Sequence, residues 1–303
     1  MYAWTVQTYL RLREAGFHCQ LTHRLPEEGV VLFHANAVRG ETIQPGPRRL
    51  LICLKAEATL CPQAQLHVVQ NPSEISEWLG CYFIPHWPQP GLLPRLSERR
   101  ERFETVAFLG HRNSLAIELM EPGWPQQLKQ RHLNWLPVIN TNAWDKHQYI
   151  DTRWNDYQHV DVIVAVRRFC ERRPGYRSKP ATKLYNAWLA GVPAILGQEL
   201  AYRAEGRPGV DYLEANSMNE VLACLDKLQQ DVVFRKRLVK KGQLRSIHYT
   251  PEVITQRWQQ FLTQVAIPAY HTWCSRSRWQ HQVQSAQAKL LNYCDRTARR
   301  LSL

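Results

Sequence analysis

Four prolines stand within ten residues at "PHWPQPGLLP", residues 85–94: Pro85, Pro88, Pro90 and Pro94. Each locks φ and lacks a backbone N–H, so no regular helix or paired strand runs through the stretch. It reads as a linker, and the chain on either side must build its own core. Both sides carry short, continuous apolar runs rich in β-branched residues, the pattern of parallel strands buried on both faces. Before the linker these are residues 17–22 "FHCQLT", 29–35 "GVVLFHA", 49–56 "RLLICLKA", 65–71 "QLHVVQN" and 81–86 "CYFIPH". Residues 72–79 between two of them suit a helical crossover capped by Ser73. After the linker come 105–110 "TVAFLG", 133–139 "LNWLPVI", 160–166 "VDVIVAV", 192–197 "VPAILG" and the weaker 211–215 "DYLEA".

Helices fill the intervals. Residues 2–15 fit an amphipathic helix with Tyr2, Val6, Tyr9 and Leu10 on one stripe and Gly16 as its stop. Ser217 and Glu220 form a capping box ahead of 218–230, and Thr250 with Pro251 opens another helix. Strand and helix thus alternate in two series, and 303 residues suffice for two cores. The expectation is an α/β chain of two Rossmann-like domains facing across a cleft, with a helical C-terminal tail. The boundaries fall at 1–96, 97–262 and 263–303. The first domain opens on a helix where such a unit ordinarily opens on a strand; the sequence leaves open whether that strand is missing or the domain is reduced.

The net charge of +13 favours an anionic partner, such as phosphorylated small molecules, nucleic acid or an acidic membrane surface. No helix-turn-helix, zinc or other nucleic-acid motif accompanies the charge, so no nucleic acid is expected. Eight cysteines are scattered without a CxxC pair, which excludes a metal finger and agrees with reduced cytoplasmic thiols. There is no secretory signal pattern and no apolar run of spanning length.

The densest segment is residues 178–197, "SKPATKLYNAWLAGVPAILG": a helix entered through Pro180, a glycine stop and a buried strand. Ligands of open α/β sheets sit at strand carboxyl ends, where helix N-termini offer N–H groups and partial positive charge. Arg177, Ser178, Lys179, Thr182 and Lys183 crowd that end, with Asn186 on the Lys183 face. Two readings of the residues stand side by side: a phosphate or diphosphate cradle, or capping hydroxyls beside solvated lysines.

The same segment, with "QELAYRAEG" behind it, resembles the donor-site helix of nucleotide-sugar glycosyltransferases of the GT-B fold. Its "KLYNA" and "AGVPAILG" are also similar to a pattern of the alpha-1,3-fucosyltransferases. More loosely the resemblance spans residues 104–262, through "FLGHRNSL", "WNDYQHVDVIVAVRR" and "YTPEVITQRWQQFL"; over 1–95 it is one of architecture. It departs at the two glutamates that many retaining members carry, where this chain has Ser178 and Asn186, and Thr182 stands where the fucosyltransferases have glutamate. There is no Asp-x-Asp signature, in keeping with the metal independence usual in the fold.

The resemblance implies transfer of a sugar from a nucleoside-diphosphate sugar, used as co-substrate with no other cofactor, to a glycan, a lipid-linked molecule or another hydroxyl acceptor. In such a reaction charge builds on the departing diphosphate. Lys183 is the first residue expected to stabilise it and Arg167 the second, with Arg177 and Lys179 as further cations. Ser178 and Thr182 add hydroxyl donors, Gly110 and His111 approach the nucleotide from the first strand of the domain, and Glu199 either takes ribose hydroxyls or is an exposed loop residue. An acceptor base would come from the first domain, His34 ahead of His86. The alternative is a catalytically inactive GT-B-like protein that binds a glycan or a nucleotide.

Residues 265–303 carry six Lys or Arg against Asp295 alone, with Trp279, Val283, Ala286, Leu290 and Tyr293 at helical spacing. The stripe suits either a closing helix packed on both domains or peripheral attachment to an anionic leaflet. The expected location is the cytoplasm, where the tail offers a hold on the inner membrane face.

Overall fold

The computed structural model describes residues 2–38, 43–140, 153–169 and 176–301; Cys170 lies outside them. The chain forms two compact units. The first comprises Met1–Trp87, Arg177–Pro180 and Pro251–Leu303; the second comprises Pro88–Tyr176 and Ala181–Thr250. The chain therefore crosses at Trp87–Pro88, inside the proline cluster rather than after residue 96. The closing helix from Pro251 belongs to the first unit instead of the second.

The first unit is built on a parallel sheet in the order β1 (Gly29–His34), β2 (Arg49–Leu54), β3 (Leu66–Val69), β4 (Cys81–Phe83). The central strand alternates faces as its pleat requires. Leu50, Ile52 and Leu54 join one core cluster, Leu51 and Cys53 another. Helix α1 (Tyr2–Glu14) helps cover the first face. Its buried side is Trp4, Thr8 and Leu12 rather than the Val6–Leu10 stripe, and Leu10 is half exposed. Thr8 tolerates burial because its hydroxyl donates to Trp4 O at 2.8 Å and accepts from Trp87 Nε1 at 2.9 Å. Residues 17–22, expected as a strand, have no regular structure. The stretch after β3 is a single 3-10 turn, Pro72–Glu74, and its cap is Asn71, whose side chain accepts from Ser73 N.

The second unit has five parallel strands, β5 (Thr105–His111), β6 (Asn134–Asn140), β7 (Val162–Ala165), β8 (Ala194–Leu196) and β9 (Leu213–Glu214), in the order β6-β5-β7-β8-β9. Pro137 is accommodated because β6 is an edge strand. Between the strands and after them run α2 (Gly123–Lys129), α3 (Thr182–Ala190), α4 (Leu200–Glu205), α5 (Met218–Gln230) and α6 (Val232–Ser246). Ser217 Oγ accepts from Glu220 N at 3.2 Å, as the capping pattern predicts, while the Glu220 carboxylate reaches Asn216 N rather than the cap residue. Helix α3 ends on Gly191 in the left-handed conformation (φ 70°). Its proline-rich neighbour is pinned to it: Gln89 N donates to Asn186 Oδ1 at 2.9 Å.

Helix α6 approaches α3 at Gly242, where a Cβ would lie 2.4 Å from Trp188 Cδ1. Trp188 is buried and its indole N–H donates to Asp211 O, so it has no room to yield. Gly242→Ala is expected to cost about 1–3 kcal/mol, the usual penalty of overpacking, read as a lower urea midpoint with an unchanged slope.

The remaining helices return to the first unit: α7 (Pro251–Phe261), a π-turn at Leu262–Ala266, α8 (Ile267–Cys274) and α9 (Arg278–Leu301). Pro268 cannot donate to the turn before it, and the helix widens there. Ile254, Trp258, Phe261 and Trp273 complete the core begun by Trp4 and Leu12. Among the described residues no helix is long and apolar enough to cross a membrane.

Candidate donor site

The carboxyl ends of β5, β7 and β8 lie along one edge of the second sheet, as parallel pairing requires. Lys183, in the first turn of α3, extends to β5: its Nζ donates to Leu109 O at 2.9 Å and lies 4.8 Å from the Phe108 ring centroid. It occupies the space above Gly110, where a Cβ would come within 2.5 Å of the ammonium. Any larger residue at 110 would displace the charge. Lys183 and Gly110, separated by seventy-odd residues, thus form one feature at a strand end beside a helix N-terminus.

Arg167 leaves the end of β7 and is almost buried. Its Nε donates to Glu199 Oε1 at 2.8 Å, its guanidinium donates to Ser114 Oγ, and the Tyr176 ring lies 5.7 Å away. Burial pushes the neighbouring Tyr202 hydroxyl pKa up, and the Glu199 charge adds to the rise. Glu199 is therefore no exposed loop residue: it is 1% exposed and holds the guanidinium in place. Ser114, Tyr176 and Tyr202 were not legible as site residues, although Ser114 lies just past "FLGHRN". His111 stands at the end of β5, edge-on to Trp154 with ring centroids 6.0 Å apart.

The helix itself starts at Thr182, not Pro180; Ala181 occupies the cap position and no side chain caps the end. Thr182 Oγ1 is buried with no hydrogen-bond partner among the described residues. Asn186 is buried and its carbonyl serves Gln89.

Arg177, Ser178 and Lys179 belong to the first unit, Thr182 and Lys183 to the second. Gln70 Nε2 donates to Ser178 O at 2.9 Å, Asn71 Nδ2 to Lys179 O at 3.1 Å and Ser73 Oγ to Arg177 O at 3.3 Å. The Lys179 ammonium pairs with Glu57. The crowded cationic helix entrance expected from sequence is divided at Pro180–Ala181.

The two histidines expected to offer a base also change order. His34 is buried and its pKa is lowered to about 4, chiefly by desolvation, with His86 adding to the effect. Its Nδ1 accepts from Asn36 N at 3.0 Å, which places the proton of the neutral ring on Nε2 and occupies its lone pair. His34 is thereby unsuited to accept a substrate proton. His86 has the reverse arrangement: Nδ1 lies 2.8 Å from Trp87 O, a pure acceptor, so the lone pair is on Nε2. Burial lowers the His86 pKa as well.

No family model matches the chain, and no curated protein matches it in sequence. Solved structures do. The pneumococcal O-GlcNAc transferase GtfA in complex with UDP and GlcNAc aligns with a TM-score of 0.50 at 12% identity, over 73% of this chain and 53% of that one. Sucrose-phosphate synthase from Thermosynechococcus elongatus aligns at 0.49 and 14% identity, over 68% and 59%. HepE from Anabaena in complex with UDP-glucose aligns at 0.46 and 12% identity, over 72% and 73%. At these identities the likeness is one of fold: the chain has a two-domain α/β fold of the GT-B type, and it spans little more than half the GtfA chain.

Proposed function

We propose that the chain is a glycosyltransferase that moves a sugar from a nucleoside-diphosphate sugar to a hydroxyl of a glycan or lipid-linked acceptor. The observation that carries this reading is the Lys183 ammonium above Gly110, at a strand carboxyl end and beside the N-terminus of α3. The fold is the one that GtfA uses with UDP and GlcNAc.

In the reaction the bond from the anomeric carbon to the diphosphate oxygen breaks and its electron pair stays on the diphosphate. The acceptor oxygen forms the new bond and gives up its proton. Lys183 and the α3 N–H groups stabilise the charge as it develops, with no metal ion in the role. Arg167, already oriented by Glu199 and Ser114, supplies the second cation. Arg177, Ser178 and Lys179, held in the first unit, are assigned no step. Of the two histidines considered as the acceptor base, His86 rather than His34 keeps a ring lone pair on Nε2. The basic amphipathic tail, residues 265–303, holds the chain at the inner membrane face.

The second reading, an inactive GT-B-like binder, draws on Ser178 and Asn186 at positions where retaining relatives carry glutamates, and on the engaged Asn186 amide. A melting panel of nucleoside diphosphates and their sugars, followed by donor hydrolysis, separates the two. Transfer predicts a nucleotide-specific rise in Tm that grows with ligand concentration, together with slow hydrolysis of that donor. A rise without hydrolysis or transfer supports the binder, and a panel with no rise sinks the transfer reading.

A further inference from the structure

Helix α9 turns two different faces outward from its axis. Gln284, Gln287, Ala288 and Leu291 line a cavity of about 300 Å³ shared with Cys61 and Trp78 of the first unit. A second face, roughly a third of a turn away, carries Trp279, Val283, Leu290 and Tyr293, which are 70%, 36%, 63% and 69% exposed. Spacings of four, seven and three residues keep these four on one stripe along 24 residues of helix. Single exposed apolar residues are ordinary on a protein surface, but a row of this length is not.

Charge decides what covers it. Arg278 and Lys289, both exposed, fall in a row along one flank of the stripe. The segment 265–303 holds six cations against one acid. Trp279 and Tyr293, near opposite ends of the stripe, have rings that suit the boundary between headgroup and acyl chain.

We propose that this face of α9 lies in the surface of an anionic lipid bilayer, with the apolar stripe at the acyl boundary and the basic row against the headgroups. The attachment does not depend on the transfer reaction. Co-flotation of the full chain with vesicles of phosphatidylcholine, with and without phosphatidylglycerol, tests it. The protein floats with anionic vesicles, stays behind with neutral ones and is released by high salt, because the basic row is screened. Replacing Trp279, Leu290 and Tyr293 together by Ser lowers vesicle affinity about a hundredfold without altering the helical signal in circular dichroism. Charge reversal at Arg278 and Lys289 removes the preference for anionic lipid. Equal flotation with neutral vesicles, no flotation, or an unaffected triple variant each overturn the proposal. So does a dimer of the wild type that the triple variant abolishes, which would assign the face to a second copy. The nucleotide melting panel gives the same answer for all these variants, so a failure here leaves the transfer reading untouched.

Discussion

Lys183→Ala is expected to lower kcat/KM for sugar transfer about 10²–10³-fold, the range seen when one preorganised donor to a developing negative charge is removed. The expectation follows from position. The ammonium is fixed over Gly110 by the Leu109 carbonyl and the Phe108 ring, so little rearrangement is needed as charge builds. The structural cost is small by comparison, on the order of 1 kcal/mol for one partly exposed hydrogen bond. Lys183→Met retains the aliphatic stem against Phe108 and removes only the charge. The two variants should lose activity together while the Met protein keeps the wild-type Tm. Unchanged turnover in both would remove Lys183 from the reaction; a collapse of Tm in both would make it a folding residue.

Asp161→Asn is expected to produce the largest loss of stability, about 3–5 kcal/mol, because it removes a buried carboxylate that pairs with two half-buried guanidiniums. Asp161 precedes β7 at the sheet edge opposite the donor site. Its carboxylate accepts from Arg95 Nε at 3.0 Å, Arg99 Nη2 at 2.6 Å and the backbone N–H groups of Glu104 and Thr105, each at 2.9 Å. Burial alone would raise the carboxyl pKa, but the bonds from Arg99, the two backbone groups and Arg95 reverse that and hold it below the usual carboxylate range. With the folded pKa below the unfolded one, the stabilisation is present above the unfolded value, about 3.9, and fades as pH falls through the folded value. Thermal melts should show the variant well below the wild type at pH 7, with the gap closing below about pH 4. A gap that does not narrow in acid would mean that the charge of Asp161 is not what holds this corner.

The strands of both sheets were legible because parallel strands buried on both faces leave continuous runs such as "GVVLFH" and "VIVA". The exceptions have physical causes. Residues 17–22 mix apolar and polar residues without a paired neighbour. The buried face of α1 was misassigned because Thr8 is kept inside by Trp87, a partner that periodicity does not register. The close approach of Gly242 to Trp188 is a contact between two helices with no local mark.

The site was legible in its centre and not in its company. Lys183 and Gly110 carry their own signals, a cation at a helix entrance and a glycine at a strand end, and the fold brings them together. Glu199 looked like a loop residue because its guanidinium partner is 32 positions away. Residues 177–179 looked like part of the helix entrance because they are adjacent in sequence. Their backbone is instead held by Gln70, Asn71 and Ser73, more than a hundred residues upstream. The choice between His34 and His86 rests on which ring nitrogen faces a backbone donor or acceptor, which no residue pattern encodes.

The most direct test of the account is a structure of the protein bound to the nucleoside diphosphate that raises its Tm most. The diphosphate is expected at the carboxyl edge of β5, β7 and β8, with a phosphate oxygen within hydrogen-bond reach of Lys183 Nζ and of the first N–H groups of α3. A diphosphate bound elsewhere, with Lys183 still closed on the Leu109 carbonyl, would contradict it.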